Sequence, residues 1–129
     1  MRDITTLFGD NAGKIWKALD KKDSLEKEKI IKITNLKEND FQTGIGWLAR
    51  EDKVSRYEDK YYKLGNTNLE SEIGKNAGLI WKILDIWDEA GIESFKNLTN
   101  LDKKNIYAAL GWLAREDKII KNKNKYRLK

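Results

Sequence analysis

Apolar residues recur at helical spacing in two separate blocks of the chain. Phe8, Ala12, Ile15, Trp16 and Leu19 fall on one helical stripe, and Ile73, Ala77, Ile80, Trp81 and Leu84 reproduce it further on. Each of these helices is predicted to begin just after a hydroxyl residue, Thr6 or Ser71, able to accept a hydrogen bond from a free amide of the first turn. A short extended segment around Ser24-Leu25 leads to a second helix carrying Ile30, Ile31 and Ile33, with Phe95 and Leu98 as their counterparts. It stops at Thr34-Asn35-Leu36, and again at Thr99-Asn100-Leu101, because Asn tolerates the left-handed backbone of a sharp turn. A third helix from about Lys37 to Glu51 points Phe41, Ile45 and Leu48 inward, as its counterpart does Ile106, Leu110 and Leu113. Asp52 and Asp117 stand where a left-handed residue would end that helix. Extended pairs follow, Val54 to Tyr57 with Lys60 to Leu64, then Ile119 to Lys121 with Lys125 to Leu128, each around a polar turn.

The two blocks are copies of each other at an offset of 65 residues. Gly9 to Leu64 aligned with Gly74 to Lys129, without a gap, gives 24 identities in 56 positions. Asn11-Ala12-Gly13 recurs as Asn76-Ala77-Gly78, and Gly46-Trp47-Leu48-Ala49-Arg50-Glu51-Asp52-Lys53 recurs as Gly111 through Lys118. The predicted units are therefore residues 1–64 and 71–129, joined by a polar linker at 65–70. A unit of this size folds only marginally alone. The linker, about six residues, spans at most roughly 20 Å, so the copies are expected to pack as a pseudo-dimer. Gly9 and Gly13, like Gly74 and Gly78, lie one turn apart in the first helices, where each costs about 1 kcal/mol relative to Ala. Something must approach that face closely: a neighbour within the unit, or the first helix of the other copy, which would make the four glycines inter-repeat packing residues.

Three helices and a β-hairpin per unit define a tandem winged helix-turn-helix, mainly α with small β wings, an α+β fold. The chain has 129 residues, 26 of them Lys or Arg and 21 Asp or Glu, a net charge of +5. No run approaches the roughly 20 apolar residues of a membrane span. The start Met1-Arg2-Asp3-Ile4 lacks a secretory pattern, and there is no Cys for a disulfide, so a cytoplasmic protein is expected. Without His or Cys there is no zinc site, no thiol nucleophile and no imidazole base; no enzyme, cofactor or small-molecule substrate is expected. Glu51-Asp52 and Glu116-Asp117 are adjacent on their helices and do not face one another, so they form no acid/base pair.

Together, the Asn-Ala-Gly-x-Ile-Trp opening, the Thr-Asn-Leu turn and the Gly-Trp-Leu-Ala-Arg-Glu-Asp-Lys block resemble a family of small bacterial and archaeal winged helix-turn-helix proteins, largely uncharacterised. Both copies match, over nearly the whole chain outside the linker. The departure is Asp52 and Asp117, where related sequences often have Gly. The resemblance implies the fold more firmly than a function, because winged helices serve both as DNA readers and as protein-docking modules.

For double-stranded DNA, the third helix would enter the major groove and the wing would follow the backbone. The outward face would present Asn39, Thr43, Gly46 and Arg50, with Gln42 at its edge, and in the second copy Lys104, Ala108, Gly111 and Arg115, with Tyr107 at its edge. Arg50 and Arg115 suit guanine or phosphate, and Gln42 or Asn39 suits adenine. Arg56 and Lys60 lie in the first wing, where Glu58 and Asp59 oppose phosphate. The second wing carries Lys121, Lys123, Lys125 and Arg127, and has no acidic residue from Lys118 to Lys129. The expected function is thus a DNA-binding protein of transcriptional or nucleoid type, relying mainly on the second repeat. The alternatives are a merely solvated basic tail, and a protein-interaction module whose glycine-bearing helix faces pack against each other or against a partner. Trp47 and Trp112, like Trp16 and Trp81, read as core or subdomain contacts. Trp87 has Lys22 at the matching position; it marks an interface particular to the second copy or covers the seam between copies.

Overall fold

The computed structural model describes residues 3–129. The first repeat contains α1 (Ile4–Leu19), β1 (Leu25–Glu26), α2 (Lys27–Thr34), α3 (Glu38–Arg50), β2 (Val54–Tyr57) and β3 (Tyr61–Leu64). After a π-helical turn (Glu70–Gly74) the second contains α4 (Lys75–Trp87), β4 (Glu89–Ala90), α5 (Ile92–Thr99), α6 (Lys103–Arg115), β5 (Ile119–Asn122) and β6 (Lys125–Leu128). Each repeat closes with a three-stranded antiparallel sheet, in the orders β1-β3-β2 and β4-β6-β5. The chain is thus a pair of winged helix-turn-helix units with mixed α and β structure.

Local chemistry explains most of the boundaries. Asn35 and Asn100 adopt left-handed conformations (φ 61° and 63°) at the turns between second and third helices, as expected, and Asp52 and Asp117 do so after the third (φ 61° and 59°). Thr34 and Thr99 return their hydroxyls to the carbonyls of Ile30 and Phe95, at 2.7 and 2.6 Å, and accept the amides of Leu36 and Leu101. Two helix starts differ from the sequence reading. Asp3, rather than Thr6, caps α1, its carboxylate accepting the Thr6 amide at 2.9 Å; a charged acceptor at a helix start outdoes a hydroxyl. Ser71 lies inside the π-helical turn rather than before a helix.

The wings show a second difference. Buried Tyr62 in β3 corresponds in position to buried Tyr126 in β6, each backing onto its second-helix or third-helix aromatic neighbour: Phe41 with Tyr62 at 5.3 Å between ring centroids, Phe95 with Tyr126 at 6.2 Å. Their separation is 64 residues, not 65. Three residues, Glu58 to Lys60, connect the first wing's strands and two, Lys123 and Asn124, connect the second's. The ungapped alignment therefore slips by one residue at the last strand, where the alternation of buried and exposed positions fixes the register.

The two hydrophobic cores exchange residues. Ile4 and Phe8, at the start of α1, pack in the core of the second repeat, with Ile80, Leu84, Phe95 and Ile106. Their counterparts Leu69 and Ile73 pack in the core of the first repeat, with Ile15, Leu19, Phe41 and Ile45. All four are at most 6% exposed. Burying a large apolar side chain stabilises by about 1.5–3 kcal/mol, so the four contribute on the order of 6–12 kcal/mol, comparable with the whole stability of a small domain. Neither repeat has a complete core without the other.

The closest approach between repeats is the crossing of α3 and α6. A Cβ on Gly46 would overlap the carbonyl oxygen of Ala108, and one on Gly111 would overlap that of Thr43. The glycines expected to make inter-repeat contacts divide differently. Gly9 and Gly74 sit under the indoles of Trp47 and Trp112, their own repeats' tryptophans, with 3.2 and 3.1 Å available to an added Cβ. Gly13 and Gly78 are exposed, and a Cβ there would meet no atom within 4 Å. The inter-repeat role expected of these four belongs instead to Gly46 and Gly111, since only a crossing of backbones demands the absence of Cβ.

Gly46→Ala and Gly111→Ala should each lower stability by at least about 1–3 kcal/mol, the range for overpacking, whereas Gly13→Ala should raise it by about 0.5–1 kcal/mol; thermal and urea unfolding of the three variants measures both signs. Phe8→Ala, although in the first repeat, should cost about 3–5 kcal/mol and lower the melting of both repeats together. Two separate calorimetric transitions in this variant would contradict the exchange of cores.

Candidate functional site

The third helices set the geometry of the candidate site, because the face expected to point outward is turned toward the sister helix. Gln42 and Thr43 are buried, at 6% and 1% exposure. Gln42 donates to the Glu38 carboxylate at 2.8 Å. Thr43 accepts from Asn11 at 3.1 Å and donates to the Asp40 carbonyl at 2.9 Å. Tyr107 is half-buried, its hydroxyl pushed above the ordinary phenol range by burial and then by the charge of Asp40 across the seam. Asn39 and Lys104 remain exposed. The hydrophobic period was read correctly, with Phe41, Ile45 and Leu48 inward, but α3 is also buried on its other side.

Arg50 and Arg115 cross the seam reciprocally. Arg50 Nε donates to Glu116 Oε2 at 3.0 Å and Arg115 Nε to Glu51 Oε2 at 2.9 Å. Each guanidinium also lies over the indole of the opposite repeat, Arg50 at 5.7 Å from Trp112 and Arg115 at 5.8 Å from Trp47. Cation–π and charge-assisted hydrogen bonds therefore hold both arginines in the seam. Glu51 and Glu116 are the partners that the sequence reading missed; the signal available was their recurrence one residue after each arginine.

The remaining basic candidates separate by repeat. Arg56, Lys60 and Lys104 are brought together with Gln42 at a cleft of about 440 Å³ between the repeats, but Glu28, Asp59, Glu72 and Asp102 line it too. Arg56 Nη2 is bonded to Glu72 at 2.8 Å, and Lys60 lies 3.9 Å from Glu26. In the second wing Lys125 lies 3.6 Å from Glu89. Lys121, which lies over the Tyr126 ring at 5.5 Å, Lys123 at the turn and Arg127 are exposed, with no carboxylate within ion-pair distance among the described residues. Burial raises the Tyr62 hydroxyl above the ordinary phenol range and the Tyr126 hydroxyl well above it.

Of the tryptophans, Trp47 and Trp112 are half-buried and pack against both cores. Trp16 and Trp81 are only partly covered, at 39% and 37% exposure. Trp87 is 61% exposed and so does not cover the seam. No helix among the described residues is long and apolar enough to cross a membrane.

These features define a winged-helix protein whose third helices face each other. A family model described as a winged helix-turn-helix domain (DUF2582) matches residues 1–64 and again 68–128, and the chain belongs to that family in two tandem copies. An uncharacterised protein of Methanocaldococcus jannaschii is 39% identical over 56 residues, which is 42% of this chain and 80% of that relative. With four-fifths of its length in a 56-residue match, the relative has room for one unit where this chain has two. No solved structure matches the chain.

Both cross-seam ion pairs leave their arginines 46% exposed, so each should contribute no more than about 1 kcal/mol. A double-mutant cycle of Arg115→Ala with Glu51→Ala, read by urea unfolding, should give a coupling of that size although the residues belong to different repeats. Zero coupling would remove the pair from the seam.

Proposed function

We propose that the chain is a non-enzymatic protein-docking module, in which two winged-helix units are held face to face and their third helices serve as the joint. The mutual burial of α3 and α6 through Gly46 and Gly111 carries this reading. A winged helix that reads DNA needs its third helix free to enter a major groove about 12 Å wide. Here Gln42 and Thr43 are buried and both arginines are tied to carboxylates of the sister repeat. Large apolar side chains meanwhile lie on the outside, Ile86 and Trp87 foremost.

A second reading keeps double-stranded DNA as the partner, for a regulatory or nucleoid protein, through the second wing alone. Lys121, Lys123 and Arg127 favour it, being exposed without a carboxylate in ion-pair range among the described residues. Such contacts would bind phosphate without reading bases.

A titration of labelled DNA duplexes at roughly 50 and 200 mM salt distinguishes the two. The docking reading expects no saturable binding at either. Binding that falls steeply with salt and is lost in Lys121→Ala/Lys123→Ala/Arg127→Ala would replace it with the wing reading. Sequence-selective binding that survives those substitutions would overturn both.

A further inference from the structure

We propose that the surface around Trp87 is the docking site for a cationic, amphipathic segment of a partner protein, an inference that rests on the docking reading. Ile86 and Trp87, 73% and 61% exposed, are the two most exposed large hydrophobic side chains among the described residues. Monomeric surfaces rarely gather such groups without a use for them. The aligned positions in the first repeat carry Lys21 and Lys22, but α1 ends at Leu19 and Lys21 is left-handed (φ 67°), whereas α4 runs on to Trp87. The longer α4 holds Ile86 and Trp87 on the surface, outside both hydrophobic cores, so no demand of core packing places them there.

Trp87 stands between two hollows of different chemistry. On one side is a hollow of about 260 Å³ lined by Ala90 and Leu98, the latter 52% exposed, and by Glu89, Ser94 and Asn97. On the other are Asp85, Asp88 and Glu89, with Arg127 at the border. From Asp85 to Leu98 the sequence carries four carboxylates, Asp85, Asp88, Glu89 and Glu93, against one lysine, Lys96, 1 − 4 = −3 in a chain of net +5; at the hollow itself Asp85, Asp88 and Glu89 face one cation, Arg127, 1 − 3 = −2. The matching segment of the first repeat, residues 20–33, has five lysines and four carboxylates, 5 − 4 = +1. Glu89 is engaged by Lys125 at 3.6 Å, while Asp85, Asp88 and Glu93 form no ion pair among the described residues.

That arrangement selects its occupant. An apolar side chain fits the hollow beside Ala90 and Leu98, and a Lys or Arg fits the acidic side, where it meets both the carboxylates and the indole. Phosphate is repelled by the same carboxylates, and a symmetric contact with another copy of this patch would set Asp85 and Asp88, unpaired among the described residues, against their own counterparts. A tryptophan flanked by a small apolar hollow is the usual form of an energetic anchor in protein interfaces.

The test uses the full chain and two synthetic helical peptides of identical apolar pattern, one lysine–leucine and one glutamate–leucine, with binding followed by calorimetry and amide chemical shifts. The lysine–leucine peptide should bind saturably, shift amides around Trp87 and Leu98, and bind at least about 10-fold more weakly to Trp87→Lys. Trp87→Lys should keep the thermal midpoint, because Trp87 is largely exposed and lies outside both hydrophobic cores; Asp85→Asn/Asp88→Asn should weaken binding without altering the hollow beside Leu98, and Trp16→Lys should not weaken it. The proposal falls if the cationic peptide does not bind, binds Trp87→Lys equally well, or is no tighter than the glutamate–leucine peptide. It falls also if Trp87→Lys lowers the thermal midpoint, or if the chain self-associates and that variant abolishes the association, since a second copy then covers the patch. Failure here leaves the docking reading standing, because that reading falls only on duplex binding.

Discussion

Two α-helices meet backbone to backbone only where neither presents a Cβ, and this single steric condition organises the molecule. Gly46 and Gly111 satisfy it from opposite sides, each receiving a carbonyl of the sister helix. Dispersion and exclusion of water over so close a contact offset the helical cost of each glycine, about 1 kcal/mol. Once α3 and α6 cross there, Arg50 reaches Glu116 and Arg115 reaches Glu51, and the two tryptophans that cover Gly9 and Gly74 also wall the seam. The same contact closes the face on which winged helices usually carry their specificity.

The exchange of leading segments gives this joint a second lock. Ile4 and Phe8 leave their own repeat for the other core while Leu69 and Ile73 make the reverse journey. The sequence duplicates a unit, yet the folding unit is the pair. Stability and architecture are therefore shared between repeats, whereas surface chemistry is not, and each repeat's exterior was free to diverge. The second repeat carries Ile86 and Trp87 at positions where the first carries lysine.

Most of the architecture was legible because it follows from local rules. Helical periodicity placed Phe41, Ile45 and Leu48 inside; left-handed tolerance placed Asn35, Asn100, Asp52 and Asp117 at turns. Periodicity reports which side of a helix is buried, not how many sides are, so it assigned Thr43 and Gly46 to solvent when both lie under the sister helix. Glycine spacing misled for a related reason: Gly13 and Gly46 are equally glycine in sequence, and only the trajectory of a neighbouring backbone distinguishes them. The one-residue difference between wings escaped because Lys60/Lys125 and Tyr61/Tyr126 are chance identities in the ungapped frame, whereas the sheet register matches Tyr62 with Tyr126. The candidate site was the least legible part, since ion pairs between residues 64 and 66 apart leave no local trace.

The polar connection after Leu64 is itself clasped. Asp52 accepts the Thr67 amide and the Asn66 side chain, both at 2.8 Å, and these bonds hold its carboxyl below the usual range. A tether this short keeps the halves at an effective concentration in the millimolar range, so their union does not depend on how much protein a cell contains. A homodimer disperses on dilution and repeats every change in both of its members. This one survives dilution and is released from symmetry, so a change on one half is present once per molecule and has a single fixed orientation relative to the rest.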